Sequence, residues 1–107
     1  MASYEEFAKL EFKVGRILTA APHPNADRLY CLTVDLGGQT RQLVAGIRAA
    51  YPDPQVLAGR LVVVVANLDP AVIRGVESQG MILAADDGGT VAFLTPERDV
   101  APGAKIR

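Results

Sequence analysis

The run Leu61-Val62-Val63-Val64-Val65 leaves few choices of fold. Four of its five residues are β-branched and lose rotamer freedom on a helix, but pack well on a pleated surface. No polar residue interrupts the run, so the strand it forms has to be covered on both faces. It opens the stretch Gly59 to Ala85, which closes on a second apolar run, Met81 to Ala85. Between the two lies a polar, glycine-punctuated connection that holds Asn67, Arg74, Ser78 and Met81. A buried strand that feeds such a connection is a platform for a binding site.

The rest of the chain reads as short strands around this one. Ser3-Tyr4-Glu5-Glu6 fits a capping box and predicts a short helix through about Lys9, with Phe7 and Leu10 on one face. Alternation from Leu10 through Val14 predicts a long first strand, with Gly15 breaking the phase as a bend or bulge. Pro22 to Asp27 is a loop stiffened by two prolines. Tyr30, Leu32, Val34 and Leu36 share one face of a second strand, and Gly37-Gly38 turns it back into a third, Gln39 to Gly46. Pro52-Asp53-Pro54 stops a helical turn at Ile47 to Tyr51, and Gln55 to Ala58 forms another helical piece. After the central strand, Gly80 to Asp86 and Val91 to Leu94 are strands about a turn at Asp87-Gly88-Gly89, and Pro102-Gly103 introduces a last short segment. Many short strands with little helix predict an all-β sandwich or barrel, in a single domain over 1–107.

At 107 residues, folding buries about two-thirds of the unfolded surface. Half of the residues are hydrophobic, a surplus that points to a self-complementary surface and a homodimer. The formal net charge of −1 is not that of a strongly basic nucleic-acid binder. Its distribution is less even. Residues 13–48 carry Lys13, Arg16, Arg28, Arg41 and Arg48 against only Asp27 and Asp35, a net +3.

Catalytic chemistry has little to stand on. His23 is the sole histidine, set between two prolines with only Asp27 near it, so neither a metal site nor a cofactor is expected. Ser3 and Ser78 are the only serines, and neither has a nucleophile-elbow context. Cys31 is alone, which excludes an intrachain disulfide and predicts a small buried thiol. Asp86-Asp87 reads as a charged turn. No enzyme activity is expected. No apolar run reaches 18 residues and nothing resembles a signal peptide, which predicts a cytoplasmic protein without membrane partners.

Binding is the better class, because arginine and lysine hold phosphates while polar and apolar groups meet bases. Lys13 and Arg16 fall on or beside the outward face of the first strand. Asn25 and Arg28 belong to the rigid loop, and Arg41 points outward if Val44 points in. Asn67, Arg74, Ser78 and Met81 supply the connection after the central strand.

Specific strings go further than composition. HPNADRLY (His23–Tyr30), DLGG (Asp35–Gly38), AGIR (Ala45–Arg48), GRLVVVVANLDP (Gly59–Pro70), RGVESQGMILAA (Arg74–Ala85) and PGAKI (Pro102–Ile106) resemble the tRNA-binding domain family, in order and over nearly the whole chain. The resemblance implies an OB-fold, a five-stranded Greek-key barrel with a short N-terminal helix and a C-terminal extension. It also implies a homodimer that binds tRNA by folded shape, largely without regard to sequence. By motif match, Arg28 stands at the family's usual lysine, Ser78 and Met81 stand at positions implicated in tRNA contact, and Asn67 and Arg74 stand beside them. Asp69 replaces a common lysine, Ala71-Val72 lack basic residues often present, and Ala45 replaces a frequent serine, which implies modest affinity. The family also contains a subgroup, the CsaA type, assigned to unfolded polypeptides and export. A third role is an accessory module acting in trans on an aminoacyl-tRNA synthetase. The near-neutral charge favours the chaperone, and the intact Ser78-Gln79-Gly80-Met81 segment favours tRNA.

Overall fold

The structure is a computed structural model that describes residues 1–107. One short helix, α1 (Tyr4–Ala8), precedes the strands; Ser3 caps it, and Glu6 reaches back to the Ser3 N–H, completing the expected box. The strands follow as β1 (Phe12–Pro22), β2 (Tyr30–Asp35), β3 (Thr40–Ala45), β4 (Leu61–Val65), β5 (Ala71–Ile73), β6 (Val76–Ser78), β7 (Met81–Ile82), β8 (Ala84–Asp87), β9 (Thr90–Phe93) and β10 (Lys105–Ile106), with a 3₁₀ turn at Pro54–Leu57. No helix is long and apolar enough to cross a membrane.

The main sheet runs β3-β2-β1-β4-β7, all antiparallel, with β10 added to the start of β1. β1 serves two neighbours in turn. Its first half, Phe12 to Arg16, pairs with β4, and its second half, Arg16 to Pro22, pairs with β2. A register shift between Ile17 and Thr19 lets the strand curl from one to the other. Gly15 was the expected bend, but its role is different. A Cβ there would come within 2.6 Å of a Val34 methyl, so glycine allows β1 to lie close across the core.

The sheet wraps into a nearly closed barrel of the OB type. Its core is Ile17, Tyr30, Leu32, Val34, Leu36, Leu43, Ile47, Leu57, Val62, Val64 and Ala66. The face predicted for β2 is the one buried, and the Gly37-Gly38 turn forms with Asp35 Oδ1 accepting from both glycine N–H groups. The long strand expected over Gly80 to Asp86 is divided. β7 belongs to the barrel, whereas β8 pairs only with β9 as a separate hairpin. The connection between β4 and β7 also contains a hairpin, β5–β6, turned at Arg74-Gly75.

Two predicted orientations reverse. In antiparallel pairing, opposed residues share a face, and Arg41 opposes Val34 while Leu43 opposes Leu32. Arg41 therefore lies on the inner side of β3 and Val44 on the outer. The apolar run Leu43-Val44-Ala45 has no alternation of its own, so only the partner strand sets its phase. Likewise Lys13 opposes buried Val64 and Arg16 opposes Leu61 and Asp35, which puts these two cations on opposite faces of β1.

Candidate nucleic-acid interface

Two connections meet at one end of the barrel: the loop His23 to Leu29 between β1 and β2, and the β5–β6 hairpin. His23 holds them together. It is 4% exposed, and its Nδ1 accepts the Asn25 N–H at 2.9 Å. Its other nitrogen, Nε2, then carries the proton and donates to the Ile73 carbonyl at 3.0 Å. Arg74 returns the favour, donating from Nη2 to the Asn25 carbonyl at 3.2 Å. Arg74 has φ +53° and Gly75 φ +88°, the left-handed pair that a tight two-residue hairpin needs. Arg28 sits on the same loop, exposed and in none of the ion pairs of the molecule. The structure thus groups Asn25, Arg28 and Arg74, and adds His23 as their fastener.

Ser78 lies apart from this loop pair, on the seam that closes the barrel. It is 4% exposed; its Oγ accepts the Val44 N–H at 3.0 Å and donates to the Gly80 carbonyl at 3.1 Å. Around it, Gln79 N–H donates to the Gln42 carbonyl at 2.8 Å, Gln42 N–H to Gln79 Oε1 at 3.2 Å, and Gln42 Nε2 to the Glu77 carbonyl at 2.8 Å. The seam between β3 and the segment Glu77 to Gly80 is therefore stitched largely by side chains where a regular ladder would use main chain. Arg41 joins in from the inner side, donating from Nη1 to the Ala66 carbonyl and, at 3.4 Å, to that of Gln79.

Asn67 is also occupied. Its Oδ1 accepts the Glu11 N–H at 2.7 Å and its Nδ2 donates to the Lys9 carbonyl at 2.6 Å, pinning the link from α1 into β1 against the end of β4. Arg16 donates to the Gly59 carbonyl at 2.9 Å and lies 3.9 Å from Asp99, away from the loop pair. Lys13 stands 4.0 Å from Glu11. Met81 is exposed on β7 and lines an apolar cleft of about 370 Å³ with Val44, Ile47, Leu68, Ile73 and Phe93.

The outward face of β2–β3 presents Cys31, Thr33, Gln42 and Val44, with Asp35 its one charge. Cys31 is partly exposed, where a buried thiol was expected, and desolvation still raises its pKa above the ordinary 9.0. No local pattern marks Gln42 or Gln79 as seam residues; glutamine within a strand reads as ordinary solvated surface.

The nearly closed antiparallel barrel with strand order β3-β2-β1-β4-β7 belongs to the oligonucleotide-binding (OB) fold class. Within that class, the model of the family described as "Putative tRNA binding domain" matches residues 12–105, and the chain belongs to this tRNA-binding domain family. It is 57% identical over 105 residues to the methionine–tRNA ligase of Thermococcus kodakarensis, covering 98% of this chain and 14% of the ligase. Among solved structures, a MetRS-related protein from Pyrococcus horikoshii superposes with TM-score 0.92 at 34% identity, covering 100% of this chain and 98% of that one. The chaperone CsaA from Bacillus anthracis superposes with TM-score 0.89 at 29% identity, covering 100% of this chain and 99% of that one.

Proposed function

We propose that this chain grips tRNA by its folded outline, largely without regard to sequence, and does so as a homodimer in the cytoplasm. The observation that carries the reading is the fastened loop pair. In OB-type barrels, oligonucleotides lie across the second and third strands and between these two connections. Here the loop carries an exposed Arg28, and the hairpin carries Arg74, whose guanidinium is held by the Asn25 carbonyl while His23 ties the two connections together. The strand face beside them is mostly uncharged, with Asp35 tied into the Gly37-Gly38 turn, and it can follow a ribose-phosphate surface while the two cations hold phosphates. Reading by outline suits RNA, whose deep major groove excludes side chains. The chain supplies binding and no catalytic step. The similarity to methionine–tRNA ligases adds a synthetase as partner, with this unit holding the tRNA beside it or in trans.

The test is a filter-binding titration against intact and heat-unfolded tRNA. Arg28→Ala with Arg74→Ala is expected to lose affinity for intact tRNA, and the salt slope is expected to fall by roughly 0.7–0.9 for each contact removed. Wild-type affinity in the double variant rejects this site.

A second reading, binding of unfolded polypeptide, rests on the cleft lined by Val44, Ile47, Leu68, Ile73, Met81 and Phe93. Its apolar lining fits a hydrophobic side chain of an extended peptide, and the likeness to CsaA agrees with it. Denatured polypeptide added to the same titration separates the two. Capture of polypeptide with indifference to both tRNA forms favours the second reading.

A further inference from the structure

Arg41 raises a question that its part in the seam does not answer. It is half-buried, yet it takes part in none of the three ion pairs of the molecule. Its contacts are neutral: the carbonyls of Ala66 and Gln79 through Nη1, and Gln39 Oε1 at 3.3 Å through Nη2. A guanidinium carries five N–H donors, so Nε and one hydrogen on Nη2 are left without a protein acceptor. Carbonyl dipoles fix the group in place but leave its charge uncompensated. Partial burial of a charge without a counter-charge is costly, and an arriving anion removes that cost.

The guanidinium borders a polar cleft of about 350 Å³, also lined by Gln39, Thr40, Gln79, Leu68 and Pro70. None of these is acidic. The amides lean the same way. Gln79 Oε1 is taken by the Gln42 N–H, and Gln39 Oε1 by Arg41, so both side-chain NH₂ groups remain without an intramolecular acceptor. With the Thr40 hydroxyl, the cleft offers a surplus of donors around one immobilised cation. Such a lining selects a ligand made of acceptors.

We infer that Gln39, Arg41 and Gln79 form a second anion site, which receives a backbone phosphate of the bound RNA. The site lies at the seam, separate from the loop pair of Arg28 and Arg74, and it rests on the RNA-binding reading above. It extends the bound surface through Leu68, which lines both this cleft and the apolar one. A rigid guanidinium held by main-chain carbonyls favours a phosphate over a mobile side chain's adaptable contacts, because little conformational freedom is lost on binding.

Replacing Arg41 would open the seam, so the informative variant is Gln39→Glu. It keeps size and shape, keeps the acceptor that Arg41 already uses, and installs a carboxylate where the phosphate charge would sit. Gln55→Glu, on the exposed 3₁₀ turn, adds the same charge away from the cleft. For intact tRNA, Gln39→Glu is expected to weaken binding about tenfold and to lower the salt slope by roughly 0.7–0.9, with Gln55→Glu close to wild type and no loss of melting temperature in either. Inorganic phosphate, followed through the ¹⁵N–¹H resonance of Arg41 Nε, is expected to give a saturable shift in wild type and Gln55→Glu and none in Gln39→Glu. Wild-type affinity and slope in Gln39→Glu overturns the assignment, as does an Arg41 resonance that answers neither phosphate nor tRNA. A phosphate response confined to forms with Gln39, in a protein that ignores tRNA, supports the anion site and instead overturns the RNA reading.

Discussion

Ser78 shows how one hydroxyl can stand in for a strand partner. The Val44 N–H has no backbone acceptor across the seam, and Ser78 Oγ supplies one from 34 residues away. The same hydroxyl passes its hydrogen to the Gly80 carbonyl, so neither group is orphaned. Ser78→Ala removes both bonds in a buried position, and the unpaired Val44 N–H costs about 1–3 kcal/mol. Chemical denaturation should show that loss of stability before any titration with RNA is interpreted. A change in affinity from this variant alone would therefore report the barrel's closure as readily as an RNA contact. Arg28, exposed and outside every ion pair, carries no such double meaning.

The β5–β6 hairpin is the element on which the proposed site turns. Its tight turn demands two residues with positive φ, for which Asn-Gly is the favoured pair, yet the first position is Arg74 at φ +53°. A non-glycine residue other than asparagine or aspartate there costs on the order of 1 kcal/mol. The guanidinium gains a bond to the Asn25 carbonyl in return and stays exposed at the loop junction. Arg74→Asn should consequently separate stability from binding: the melting temperature should be unchanged or higher, while affinity for intact tRNA falls. A variant that loses both, by calorimetry and filter binding, would assign Arg74 to the fold. Nothing in Ile73-Arg74-Gly75-Val76 announces this hairpin on its own, because arginine is no turn signal and each strand is only three residues long. The Leu36-Gly37-Gly38-Gln39 turn was legible because both of its positive-φ positions are glycine.

At the scale of the molecule, the apolar core of the barrel is buried while part of its outer surface is apolar and exposed. Tyr4 and Phe7 of α1 are 81% and 46% exposed, and the Phe7 ring stacks on Phe12 at 5.5 Å rather than on the core. Phe12 pairs with Val65 on one side and Ile106 on the other, which joins the helix, β4 and β10 into one outer apolar surface. That surface is where the proposed homodimer would meet. Phe7→Glu is expected to shift sedimentation at micromolar concentration from a dimer to 11.3 kDa and to weaken tRNA binding through the lost second site. An 11.3 kDa species in the wild type would contradict the dimer.

Local chemistry was enough for the all-β class, the capping box at Ser3, the glycine hairpin and the buried face Tyr30, Leu32, Val34 and Leu36, because each depends on residues within a few positions of one another. The strings shared with the tRNA-binding domain family carried the barrel type. Tertiary structure alone decided that Arg41 turns inward, that His23 fastens the two loops, and that Asn67 and Ser78 serve the frame of the barrel. Their distant partners lie 25 to 58 residues away, and a side chain's role follows from the donor or acceptor that folding brings to it, which no local pattern encodes.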